Sequence, residues 1–245
     1  MIRQAIITSS TWKFLLHGVI NIQDYRNHVT KNSDLKALNA TILMQTASAI
    51  EGAITSTLIQ HIHNSKPYKT ANRTNDFDTR RILDDLIEQL FKSQWKDLES
   101  KANLIAEIEL KTIGKKSWED IQHLFKLRNL LAHGGSVIYK LDLISNENSE
   151  FGTYVEKRKT TFNKSDLFQY LKKKNLIHDI SNERDFLLES QFLTSAITNH
   201  FSNQGLRFLQ SFLLAYSNVR HPTGILKNDI ESTIQKIQSF LDSSK

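Results

Sequence analysis

LKALNATILMQTASAIEGAITSTLIQHIHN, residues 35–64, is apolar on most of its faces and contains one glycine and no proline. A helix on the surface of a protein shows one apolar stripe, whereas a helix that is apolar nearly all round belongs inside. Residues 35–64 are therefore read as the central helix of a bundle. Asn32-Ser33-Asp34, just before it, supplies the residue types that cap helix starts.

Composition points the same way. The 245 residues include 8 Gly and 2 Pro, where average usage would give roughly 30 of the two together. Sandwiches, barrels and parallel α/β folds consume Gly and Pro in their turns. That scarcity predicts a mostly helical, all-α protein. Hydrophobic residues make up 39% and charged residues 24%, too apolar a balance for a disordered chain. With no Cys, disulfides, Cys-ligated zinc and thiol catalysis are excluded. The 32 Lys and Arg against 26 Asp and Glu give a net charge of +6, which permits a nucleic-acid partner without demonstrating one. No 18 apolar residues run together, so no transmembrane helix is expected. The start, MIRQAIITSSTWKFLLHGVI, lacks the apolar core and small residues of a signal peptide. A cytoplasmic protein without a membrane partner is the expectation.

Outward from the central helix, residues 1–33 read as an N-terminal helical segment, one or two short helices broken near Gly18, with Trp12, Phe14, Leu15 and Leu16 as core anchors. Ser65 to Asp78 is polar, holds Pro67 and reads as a loop. RRILDDLIEQLFKSQW, residues 80–95, places Ile82, Leu83, Leu86, Ile87, Leu90 and Phe91 on one helical face. A further helix is expected over 98–110, ended by Gly114. SWEDIQHLFKLRNLLAHGG, residues 117–135, follows, with Ser117 as cap and Gly134-Gly135 as terminator. Within 136–163, SVIYKLDLI, the turn-prone SNENSEFG and TYVEKRKTTF predict a small β-hairpin. Residues 164–245 carry additional helices: DLFQYLKKKNLI after Ser165, one near 185–217 and one near 227–241, the last two separated by Pro222 and Gly224.

One helix interrupts its own pattern. At 100° per residue, Trp118, Ile121, Leu124, Phe125, Leu131 and Ala132 form an apolar stripe, and Arg128 lies inside it. A guanidinium there must be paired, line a cavity or face another subunit, because an unpaired buried charge is strongly unfavourable. Asn129 follows at once, and His133 comes where the glycines stop the helix. Such a group suits phosphodiester chemistry. Arginine donates paired hydrogen bonds to phosphate oxygens and stays charged; histidine moves protons near neutrality. RNA brings its own nucleophile, the 2′-hydroxyl, so neither metal nor cofactor is required.

The string Arg128-Asn129-Leu130-Leu131-Ala132-His133-Gly134 resembles the R-x4-6-H signature of the HEPN superfamily. The resemblance covers residues 34–135, the HEPN-like helical core, and leaves the hairpin and C-terminal helices unmatched. It implies a four- or five-helix domain that dimerises so that two motifs meet in one cleft. Many members are metal-independent endoribonucleases of toxin–antitoxin or phage-defence systems. Carried over, Arg128 stabilises phosphate charge, Asn129 orients the site and His133 handles protons. One departure stands out. Members inactivated by nucleotidyltransferase antitoxins carry a Tyr two residues after the His, where this chain has Gly135, the nearest downstream Tyr being Tyr139. Inactivation through that position is not expected; another antitoxin or defence-system partner remains open.

Other residues support or surround this reading. Glu51 interrupts the central helix amid Met44, Ala47, Ile54, Leu58 and Ile62, and Arg128 is the natural cation for it. Lys157, Arg158 and Lys159, with Lys172, Lys173 and Lys174, are the densest basic runs and the first candidates for RNA phosphate contacts. His61 and His63 point about 200° apart on a helix, cannot share one metal ion, and are read as surface histidines. Tyr25-Arg26-Asn27-His28 echoes the motif's composition but not its spacing, and Arg220-His221 before Pro222 reads as a loop. The expectation is a dimeric endoribonuclease acting on RNA. The alternative is a non-catalytic HEPN module that binds RNA, a nucleotide or a partner protein through the same cleft. A helical interaction protein with a purely structural Arg128 is a third reading.

Overall fold

Helix α2, Asn32–Asn64, is the axis of the molecule. The computed structural model describes residues 11–132, 139–145, 154–160, 166–177, 193–222 and 224–243. Around α2 stand α1 (Thr11–Arg26), α3 (Lys66–Thr74), α4 (Phe77–Phe91), α5 (Trp95–Ala106), α7 (Trp118–Ala132) and α9 (Ser195–Arg220), all in contact with it. The short α6 (Leu110–Ile113) and the C-terminal α10 (Gly224–Ser243) pack on α9, and α8 (Asp166–Lys173) packs on α7. Strands β1 (Tyr139–Ser145) and β2 (Tyr154–Thr160) pair antiparallel, with Asp142 opposite Lys157, Leu141 opposite Arg158 and Lys140 opposite Lys159.

The core follows from two helices. From α2 come Ile42, Leu43, Ala47, Ile50, Ala53, Ile54 and Leu58, and from α9 Phe201, Phe208 and Phe212, all essentially inaccessible to water. Burying each large side chain contributes about 1.5–3 kcal/mol. Between Ala37 and Gln60 the only charged residue is Glu51. By length and composition α2 could therefore cross a membrane, its most apolar window having mean hydropathy 1.2, and to that extent the expectation of no such segment is corrected. Within the bundle 61% of that window is buried against protein.

Helix α1 runs unbroken through Gly18, which admits close approach rather than a break: a Cβ there would stand 2.5 Å from Gln45 Oε1. Gly52 of α2 does the same for Trp12, whose Cβ a methyl would meet at 2.9 Å. Trp12 and Leu16 are core residues, but Phe14 is 76% exposed. Asn32-Ser33-Asp34 lies inside the first turn of α2; Lys31 is the cap residue and makes no side-chain capping bond. Asp34 still favours the positive end of that helix. The expected loop at 65–78 contains α3, because the Ser65 hydroxyl accepts from Tyr68 N and Pro67 falls in the first turn, where its missing N–H is harmless. On α4, Ile82 and Phe91 project to solvent and only Ile87 and Leu90 are fully buried.

The helix expected over 98–110 is two, α5 and α6, divided where Glu107 takes a left-handed φ of 54°. Helix α8 ends well short of Ile177, near Asn175, which is left-handed at φ 54°. Helix α9 starts at Ser195, capped by Thr194, and continues through Arg220; residues 185–192 of the expected helix lie outside the described residues. Gly224 begins α10 rather than separating it from α9.

Candidate active site

Helix α7 places two faces in the core. Ile121, Leu124 and Phe125 are buried as the stripe requires, Leu127 is equally buried, and Ala132 at the end of the stripe is exposed. Arg128 is paired: its Nη2 donates to Glu51 Oε2 across the α7–α2 contact, with side chains 25% and 22% exposed. Its Cζ lies 5.6 Å from the Phe125 ring centroid, and Phe125 stacks on Trp95 at 4.1 Å and 12°. Nε of Arg128 is buried without a hydrogen-bond partner among the described residues.

Glu51 has a second partner. The backbone N–H of Trp95, first residue of α5, donates to its carboxylate, so the carboxylate sits at a helix start, where unpaired amides and the dipole favour negative charge. Burial nonetheless outweighs Arg128's charge and hydrogen bond and the Trp95 amide, and the Glu51 carboxyl is pushed above its usual range. The site is thus a strained compromise between desolvation and pairing.

Asn129 is exposed beside Arg128. His133, Gly134 and Gly135 follow Ala132, the last residue of α7, and lie outside the described residues. The structure therefore brings together Arg128 and Glu51, with Asn129 adjacent. The backbone of Lys157, Arg158 and Lys159 belongs to β2; their side chains lie outside what is described. Lys172 is exposed on α8. Lys173 approaches Glu119 at 3.6 Å, and Lys174 approaches Asp120 at 3.7 Å and covers the Tyr170 ring at 5.4 Å. Those contacts compete with any phosphate for the two lysines.

A second polar cluster, which the sequence analysis did not single out, lies on the other buried face of α7. Asp120, 2% exposed, accepts hydrogen bonds from the Tyr170 hydroxyl and from His200 Nε2, the latter at 2.6 Å. Burial alone would raise the Asp120 carboxyl, but the bonds from His200 and Tyr170 and the charges of His200 and Lys174 prevail and hold it below the ordinary carboxylate range. The Tyr170 hydroxyl is pushed far up by burial and by its bond to Asp120. His123 stacks on Tyr170 at 3.9 Å with Nδ1 2.7 Å from the Glu119 carbonyl oxygen. These residues come from α7, α8 and α9, up to 80 positions apart, so no local pattern could join them. The one available signal was on α7, where Asp120 and His123 share an arc with Leu124 and Leu127. Among the described residues no group of three or more His, Asp or Glu is placed to hold a metal ion.

The remaining candidates fall elsewhere. Arg26 is buried and donates from Nη1 to Asn39 at 3.0 Å and from Nη2 to Asn199, tying α1 to α2 and α9. His61 and His63 meet different rings, Tyr216 at 6.1 Å and Tyr68 at 4.7 Å, as a 200° separation requires, but both are half-buried rather than on the surface. Arg220 is the last residue of α9 rather than part of a loop, and His221 is its left-handed cap at φ 45°. Comparison with protein-family models, with curated proteins and with solved structures finds no match to this chain.

Proposed function

We propose that the chain is a HEPN-type, metal-independent endoribonuclease working as a homodimer in the cytoplasm, in growth arrest or phage defence. The observation that carries this reading is the Arg128–Glu51 pair: a guanidinium embedded in an apolar helix face, part exposed, held by a carboxylate and followed at the helix end by the His133 position. Arginine has five N–H donors, and the contact with Glu51 engages Nη2, so the guanidinium keeps donors for a phosphate oxygen. In the reaction the ribose 2′-oxygen attacks phosphorus as its proton leaves. The P–O5′ bond breaks, the 5′-oxygen takes up a proton, and the products are a 2′,3′-cyclic phosphate and a 5′-hydroxyl. Arg128 stabilises the charge gathering on the phosphoryl oxygens, Asn129 orients the group, and His133 accepts or donates the proton.

The test is cleavage of total RNA and tRNA in the presence of EDTA, wild type against His133→Ala. Cleavage by the wild type and its loss in the variant are expected. No wild-type cleavage on any of these RNAs would remove the nuclease reading. A second reading, a non-catalytic module binding RNA, a nucleotide or a partner protein, draws on the same pair: Glu51 already neutralises Arg128 within one protomer. It is favoured if Arg128→Ala and His133→Ala lower RNA affinity where no cleavage existed.

A further inference from the structure

Away from Arg128, the ends of α2 and α9 and the start of α3 enclose a cavity of about 240 Å³ lined by His61, Lys69, Tyr216, Arg220 and His221. No Asp or Glu is among the described residues that line it. We propose that this cavity binds a phosphate group, free or as the terminal phosphomonoester of a small nucleotide, with Arg220 and Lys69 as its cationic ligands and His61 and His221 as further donors.

Three observations carry the assignment. The first is charge. Two permanent cations and two imidazoles converge from α2, α3 and α9 on one hollow with no acid among its described lining residues, Glu107 reaching Arg220 from outside that lining, and such a balance of charge favours an anion inside. Helix ends explain part of it, since a cation beside a helix C-terminus is favoured and His61 and Arg220 stand in or at the last turns of α2 and α9. They do not explain Lys69, which α3 brings to the same space.

The second is preorganisation. Arg220 Nε donates to the Ala106 carbonyl at 3.0 Å and Nη2 lies 3.2 Å from Glu107 Oε1. These contacts fix the guanidinium plane and use two of its five donors, and a fixed planar fork is what phosphate oxygens match best. Glu107 is 77% exposed and outside the lining, so it holds the arginine without filling the hollow. The third is size. Pockets for drug-sized ligands span roughly 300–1,000 Å³, and this one is smaller, suited to a compact anion rather than a length of polymer. The histidine agrees: burial and the Arg220 charge, opposed by Glu107, hold the His61 imidazole below its ordinary range. Lys69, His221 and the Tyr216 hydroxyl complete its surroundings, the last pushed up to about 12 chiefly by burial and so still protonated. An incoming dianion opposes Arg220's effect and draws a proton onto His61.

The inference does not depend on the reading of Arg128. Calorimetric titration of the full chain with inorganic phosphate should give saturable one-to-one binding, accompanied by proton uptake when repeated in buffers of different ionisation heat. Lys69→Gln and Arg220→Gln should each weaken it about tenfold or more, the loss of one charge-assisted contact. Lys69 is exposed on α3, so its variant decides the matter even where Arg220→Gln, which releases the Ala106 carbonyl, fails to fold. Adenosine 5′-monophosphate binding tighter than phosphate, with adenosine alone inert, assigns the site to a nucleotide end; equal affinity assigns it to the free anion. Absence of saturable phosphate binding in the wild type, or unchanged affinity in Lys69→Gln, overturns the proposal.

Discussion

At the scale of single residues, Arg128 and Glu51 were both legible because each interrupts an apolar period on its own helix, and two misfits of opposite charge invite one another. Their contact is neither a surface pair, worth about 0–1 kcal/mol, nor a fully buried one, whose breaking costs about 3–5 kcal/mol. With 25% and 22% of the side chains exposed, Glu51→Ala should lower stability by about 2 kcal/mol, between those limits. The double variant Glu51→Leu/Arg128→Met should recover most of the loss, since two apolar groups replace two desolvated charges. Urea denaturation of the two proteins checks this, and a change under 0.5 kcal/mol in Glu51→Ala would show the pair to be energetically idle. The Trp95 amide at Glu51 was not legible, because it depends on where α5 begins, a boundary set by the Gln94–Asp97 capping box rather than by hydrophobic spacing.

At the scale of elements, periodicity located the long helices, and polar composition concealed α3, whose start rests on one serine hydroxyl and whose body has little apolar surface to announce it. Glycine was the other blind spot. Read along the chain, Gly18 is a helix breaker; between two helices it is a point of close approach. The two glycines of the α1–α2 contact should respond oppositely to a methyl group. At Gly18 the obstacle is the tip of the Gln45 side chain, whose Oε1 is buried with no hydrogen-bond partner among the described residues and can swing aside. Gly18→Ala should therefore keep the helix-propensity gain of about 1 kcal/mol. At Gly52 the obstacle is the Cβ of Trp12, fixed to the α1 backbone. Overpacking of about 1–3 kcal/mol exceeds the same gain, and Gly52→Ala should be destabilised by about 1 kcal/mol. Thermal unfolding midpoints moving in the same direction for both variants would contradict this account of the contact.

At the scale of the whole molecule, the all-α bundle and its central helix followed from composition and one segment, but the polar framework did not. Arg26 with Asn39 and Asn199, Gln23 with Ser202, and Asp120 with His200 and Tyr170 are long-range pairs that fasten α1 to α2 and α9, and α7 to α8 and α9. Each member looks ordinary where it stands in the chain, and only the tertiary fold makes it a partner. The pH behaviour of stability should expose the last of these. The Asp120 carboxyl is held below the ordinary carboxylate range in the folded protein, so its ionisation favours folding above that ordinary range, and the contribution disappears as pH falls through the lower folded value. Asp120→Asn should cost about 2 kcal/mol at pH 7, and its deficit against the wild type should shrink below about pH 4, the ordinary range of an Asp carboxyl, in urea titrations. A deficit constant from pH 7 to pH 3 would mean that the charge contributes nothing. The aromatic group beneath Arg128 has a different consequence. Of the three tryptophans, Trp95 stacks on the ring that carries the guanidinium, and Trp118 lies 5.8 Å from Trp95. Indole emission shifts in colour and intensity with nearby charge, so the protein carries its own optical gauge at this point: whatever displaces Glu51 from Arg128 announces itself as light.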